Sequence, residues 1–265
     1  MSLKNSFGKT SVLNISSIKK ENKTILDNIY FTAPFKIMSP FYISDDYIKV
    51  MLLSVSAGIM EGDTQNIDIK IGDETKVEVI SQSYEKIHKM KSGNASRCCN
   101  ISVGKDAYLK YNPLPTIPFA DSSFDSITKI NLEDDSSRLI FNEIITCGRS
   151  AMGEKFLFNH YNSYLEVKKK CRLIYRDNTV YDKYLFNMSS IGMFEGYTHI
   201  ANMIIVNFNK EDSFIEQARN IIDECDEVQG GVSTLQNNDI IIKILGTTSQ
   251  KLINICEEIT KLLEV

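Results

Sequence analysis

The stretch NIDIKIGDETKVEVI, Asn66 to Ile80, decides the class of the fold. Ile67, Ile69 and Ile71 fall on one side of an extended chain, and Asn66, Asp68 and Lys70 on the other. That period of two marks a strand with one buried face. Val77 and Val79 repeat it within KVEVI. Gly72-Asp73-Glu74-Thr75 joins the halves and reads as a hairpin turn.

The same alternation extends outward. Strands are predicted over IKVMLLSVS (Ile48 to Ser56), NISV (Asn100 to Val103), AYLKYN (Ala107 to Asn112), SITKINL (Ser126 to Leu132), RLIFNEIIT (Arg138 to Thr146), EKFLFNHYNSYLEVK (Glu154 to Lys168) and CRLIYR (Cys171 to Arg176). Turn signals separate them at Gly104-Lys105-Asp106, Asp134-Asp135-Ser136 and Arg176-Asp177-Asn178. Residues 1–199 therefore read as a mainly β body. Residues 200–265 read as a small α+β portion packed on it as one continuous structure. Its elements are a strand in NMIIVNF, a helix capped by Ser213 and Glu216 and ended by Gly230-Gly231, a GVSTL–DIIIKIL hairpin turning at Gln236-Asn237-Asn238, and a second helix from Ser249. No sequence repeat is evident.

The chain has 265 residues and a net charge of −4, ample for a real core and without the basic footprint of a nucleic-acid binder. The six cysteines are scattered, and no run of about 18 apolar residues suggests a membrane span. MSLKNSFGKT lacks the apolar core of a signal peptide, so a cytoplasmic protein with reduced thiols is expected.

The chemistry is sparse. His88, His160 and His199 stand apart, and Cys98-Cys99 would face opposite ways in a strand, so no tight metal site is expected. No phosphate-cradling or nucleophile-elbow motif occurs. GRSAMGE reads as a tight turn with an internal Arg149–Glu154 ion pair. AGIMEGDTQ (Ala57 to Gln65) brings Glu61 and Asp63 together, as a solvated turn or as oxygen ligands for a divalent cation. SQSYEKIHKM (Ser81 to Met90) gathers Ser, Gln, Glu, Lys and His as a strand end or a polar helical turn.

Five stretches in order and spacing resemble the UreD/UreH family of urease accessory proteins. They are Pro34-Phe35, LLSVSAGIMEGD (Leu52 to Asp63), SQSYEKIHKM, PLPTIPF (Pro113 to Phe119) and CGRSAMGEKFLF (Cys147 to Phe158). Ala57 and Ser81 depart from the family pattern, where glycine and threonine are expected. The resemblance implies a β-helix-like stack of strands and a non-catalytic role. It implies docking on urease apoprotein with a helical accessory protein (UreF) and a GTPase (UreG), and help in delivering nickel through an internal passage. No tightly bound cofactor follows from it, only Ni²⁺ in transit, which weak oxygen ligands would release. Candidate lining groups are Glu61, Asp63, Ser81, Ser83, Glu85 and Glu143.

Three of the five prolines, Pro113, Pro115 and Pro118, bracket Leu114 and Ile117 and precede Phe119. They read as a stiff apolar ledge suited to docking, or as a bend that carries the chain out of one sheet. The alternatives to a delivery scaffold are a hydrolase using Cys147 or a carboxylate pair, and a sugar-binding solenoid, which the lack of tryptophan disfavours.

Overall fold

The computed structural model describes residues 10–208 and 213–263. The N-terminal stretch read for a signal peptide falls largely on residues 1–9, outside the described residues.

The chain opens with β1 (Thr10–Lys20), β2 (Lys23–Phe31), β3 (Phe35–Ile37), β4 (Phe41–Tyr42) and β5 (Tyr47–Ser54). It continues through β6 (Thr64–Ile71), β7 (Lys76–Ser81), β8 (Glu85–Ile87), β9 (Ala95–Val103), β10 (Tyr108–Asn112) and β11 (Thr116–Pro118). Then come β12 (Ser123–Leu132), β13 (Arg138–Thr146), β14 (His160–Lys169), β15 (Arg172–Asp182) and β16 (His199–Val206). The order closes with α1 (Phe214–Asp223), β17 (Val228–Thr234), β18 (Ile240–Gly246) and α2 (Ser249–Lys261). The mainly β expectation with two helices holds.

The hairpin does not. β6 pairs in parallel with β1 and β9 in a 7-stranded sheet. β7 pairs in parallel with β5 and β10 in an 11-stranded sheet. Gly72–Thr75 is therefore an arch between two sheets. Alternating strands look alike in either arrangement. Here Ile67, Ile69 and Ile71 meet Val77 and Val79 across one core instead of side by side. Close approach of β1 explains the glycine: a Cβ on Gly72 would clash with the Ser17 carbonyl oxygen.

The winding then repeats. β9, β12 and β14 join the smaller sheet while β10 and β13 join the larger, all in parallel register. Residues hydrogen-bonded between neighbouring turns lie 30 to 33 positions apart, as in Glu61–Lys91, Asp68–Asn100 and Ser137–Gly104. The inward residues Ile15, Ile69, Ile101, Ile130 and Val167 form one ladder across the smaller sheet. Each is buried, worth about 1.5–3 kcal/mol.

β1 escaped the sequence reading because Ser11 and Ser17 occupy inward positions beside Leu13 and Ile15 and blur its pattern. Two further boundaries move. The strand expected from Glu154 starts at His160, and the turn expected at Arg176–Asn178 lies inside β15.

β16 pairs with β13, so β16, β18 and β17 extend the larger sheet. α1 and α2 cover its outer face through Phe214, Ala218, Ile222, Leu252, Ile255 and Ile259. Ser213 does not cap α1 through its side chain, and its hydroxyl accepts a bond from Gln217 Nε2 at 2.7 Å. α1 ends at Asp223, and Gly230-Gly231 belong to β17. β17 and β18 form the expected hairpin. Among the described residues no helix is long and apolar enough to cross a membrane.

Candidate functional site

The links from the larger sheet to the smaller one stack as well. Ile59 bridges Ile87, Thr116 to Pro118 pair with Glu85 to Ile87, and Thr116 pairs with Ile145. Four of the sequence stretches singled out above, at Leu52–Asp63, Ser81–Met90, Pro113–Phe119 and Cys147–Phe158, are thus equivalent connections on successive turns. Together they wall one side of the sandwich.

Behind this wall lies a cavity of about 120 Å³. Ser81, Ser83, Glu85, Pro113 and Glu143 line it, together with Arg97, Ser126, Tyr111 and Tyr161. It opens onto a polar layer that runs across the strands. In the smaller sheet the layer is the register line Ser11, Gln65, Arg97, Ser126, Ser163 and Thr179. In the larger sheet it is Glu143, Asn202 and Lys243. Polar groups in such a place need partners, and they find them across the gap between the sheets.

Arg97 reaches Glu85 of β8 in an ion pair and donates from Nε and Nη2 to Gln65 Oε1 at 2.9 and 2.6 Å. Its guanidinium sits 5.7 Å from the Phe124 ring centroid. Burial works against its charge, but Glu85 overrides that and holds the guanidinium more firmly protonated than usual.

Deeper in, Ser163 Oγ lies 3.2 Å from both oxygens of Glu143. Burial pushes the Glu143 carboxyl up, with Ser163 and Asn202 offsetting part of the shift. The buried Asn202 Oδ1 accepts no hydrogen bond among the described residues. Beyond Glu143 the layer is packed shut between Asp177, Thr179 and Asn202, with no room for a water molecule. It ends at an ion pair between the sheets, Lys243 Nζ to Asp177 Oδ2 at 2.5 Å. Burial pulls the Asp177 carboxyl up, yet bonds from Lys243 and Thr179 keep it below its ordinary value.

The other sequence-predicted residues lie elsewhere. Glu61 is outside the cavity lining, its carboxylate accepting from the backbone N–H groups of Lys91 and Gly93 at 2.8 and 2.9 Å. Those bonds, Lys91 foremost, hold its carboxyl below the usual range. Asp63 is also outside; its Oδ2 accepts from the Met60 N–H at 2.7 Å. Both carboxylates fix loop backbone. In the proline stretch Pro115, Pro118 and Phe119 are buried, Pro113, Leu114 and Ile117 are half-buried, and the chain bends there from β10 to β12. Arg149 and Glu154 form the expected pair, and the guanidinium lies 4.1 Å from the Phe119 ring centroid.

Sequence reasoning missed Arg97, Gln65, Ser126, Ser163, Asp177 and Lys243. One signal finds several of them: a polar residue in the inward phase of an alternating strand. Gln65 precedes Ile67, Ile69 and Ile71 in that phase, and Ser126 precedes Ile130 and Leu132.

Chemically, the layer offers carboxylates, hydroxyls and an amide oxygen, which suit a hard or borderline cation held loosely. Among the described residues no group of three or more His, Cys, Asp or Glu side chains is placed to hold a metal ion. Cys147 is buried and burial pushes its thiol up, the reverse of what activates a nucleophile.

The family model described as "UreD urease accessory protein" matches residues 9–265. Over 259 residues the chain is 38% identical to "Urease accessory protein UreH" of Helicobacter pylori strain J99, covering 97% of this chain and 96% of that protein. It is 37% identical over 262 residues to "Urease accessory protein UreD" of Acetivibrio thermocellus, covering 98% of this chain and 100% of that one. It is 39% identical over 249 residues to "Urease accessory protein UreH" of Helicobacter hepaticus, covering 94% and 96%.

Proposed function

The chain belongs to the UreD family of urease accessory proteins, and we propose that its part in urease maturation is to conduct nickel between its two sheets. The observation that carries this reading is the polar layer from Glu85 through Glu143 to Asp177, set beside a large apolar core cluster. Nickel enters by the cavity that Ser81, Ser83 and Glu85 line, passes Glu143 and Ser163, and leaves past Asp177.

Oxygen groups spaced along a line bind weakly at several sites, which lets an ion enter and leave. The half-buried Glu143 carboxyl is the strongest candidate ligand on the path. Its raised proton affinity means that the incoming cation exchanges for a proton there. The chain itself carries out no bond-making chemistry. It docks on urease apoprotein beside the helical accessory protein UreF and the GTPase UreG, and nickel is its cargo. The Cys147 form of the hydrolase alternative finds no support in the thiol, which is buried and pushed up.

Coexpression of the urease subunits and the remaining accessory proteins, with and without this chain, tests the role. Nickel per urease active site should fall severalfold when the chain is omitted, and urease should copurify with the chain when it is present. Full nickel loading without the chain would end the proposal.

A further inference from the structure

We propose that Arg97 and Lys243 are built-in latches that occupy the carboxylates at the two ends of the polar layer and keep the path closed to cations until they are displaced. This rests on the conduit reading above and adds the device that closes it.

The charges along the layer are ordered. At the cavity end Glu85 is paired with Arg97, and at the far end Asp177 is paired with Lys243. Glu143, between them, pairs with no cation among the described residues and rests on Ser163. Each end carboxylate therefore already has an internal counter-ion, and an approaching metal meets a neutral pair.

Arg97 is held for this position and not merely parked there. Two bonds donated to Gln65 Oε1 and the face of Phe124 fix the guanidinium, whose planar fork keeps its orientation. Only 16% of its side chain is exposed. Its positive field also reaches Glu143. Lys243 is the freer latch, with 45% of its side chain exposed at the edge where the layer meets solvent.

Displacement then selects for charge. A monovalent alkali ion that replaces a guanidinium gains no charge and weak coordination. A divalent transition-metal ion brings twice the charge and a stronger bond to carboxylate oxygen. The latches thus bar abundant potassium and sodium while leaving nickel a weak, reversible hold.

The test is nickel binding to the full-length chain, with Ni²⁺ alone as probe, in competition with a colorimetric chelator in potassium buffer. Arg97→Met removes the charge and keeps the stem, and it should tighten nickel binding about tenfold or more by freeing the half-buried Glu85 carboxylate. Arg97→Lys keeps the charge but loses the planar fork, so it should tighten nickel binding less than Arg97→Met does. Adding Glu85→Gln to Arg97→Met should abolish the gain. Unchanged affinity in Arg97→Met, or a gain that survives Glu85→Gln, overturns the proposal. If Arg97→Met does not fold, Lys243→Met at the solvated edge decides: tightening supports the latch and no change refutes it. Nickel loading of urease by a Glu143→Gln variant judges the conduit separately. Full loading there would retire the conduit while tightened binding in Arg97→Met would still stand.

Discussion

Inward-facing polar side chains are where this sequence departs from a plain β sandwich. Glu143 occupies the phase of Leu139 and Phe141, and Ser126 and Thr128 that of Ile130 and Leu132. His199 is a related case, buried at the start of β16. Thr198 Oγ1 donates to the Thr247 carbonyl, so His199 Nδ1, 2.8 Å away, carries the proton and donates to that hydroxyl. Burial lowers the His199 pKa from 6.5 to about 4. The unfolded chain therefore takes up this proton first as the pH falls. The contribution to stability is complete above pH 6.5 and is lost as the pH drops towards 4, by about 3 kcal/mol in all. Urea denaturation at pH 7.5 and 5 should show this loss, and His199→Asn, which keeps the donor, should flatten it. An equal slope in the variant would mean another group is responsible. Of the site, Ser81, Ser83, Glu85 and Glu143 were legible in the sequence because they fall in or near the family stretches or inside a clear strand. Arg97, Asp177 and Lys243 were not, since the partner of a buried charge is set by sheet register and by contact between sheets. Asp177 even sat in a stretch that reads as a turn.

At the scale of elements, the arches carry the architecture. Gly72 and Gly104 occupy equivalent corners one turn apart, after register partners Ile71 and Val103. Asp73 Oδ1 accepts from the Lys105 N–H at 2.8 Å, and Ser136 Oγ from the Asp106 N–H at 2.8 Å, so each corner is tied to the next. Gly72→Ala should cost about 2 kcal/mol, because its Cβ meets backbone that cannot move aside without shifting a neighbouring turn. Chemical denaturation with an unchanged m-value checks this, and a variant within 0.5 kcal/mol or so would show that the corner yields. The strands themselves were legible from alternation alone. Their pairing was not, because the signal for one buried face is the same whether the next strand lies beside it or opposite. The repeat was also hidden. What recurs every 30 to 33 residues is a hydrogen-bonding position, filled by different residues on each turn. The four stacked family stretches, starting roughly 30 residues apart, held that period in plain view.

For the whole molecule, the larger sheet is buried on its inner face and, around β13, β16, β17 and β18, on its outer face as well. Its inner face meets the smaller sheet, and its outer face lies under α1 and α2. A sheet clamped this way is a stiff frame, which keeps the groups of the polar layer in fixed register and suits a path whose ligands must neither close on an ion nor drift from it. Glu61 and Asp63 hold a loop on the same wall but lie outside the cavity lining, which makes them the natural contrast to Glu143. The deciding measurement is nickel per urease active site, delivered by complexes carrying Glu143→Gln or Asp63→Asn and recovered at equal yield. Conduction between the sheets predicts that Glu143→Gln lowers loading about tenfold while Asp63→Asn stays near the unaltered chain wherever its loop is intact. Full loading through Glu143→Gln would contradict it.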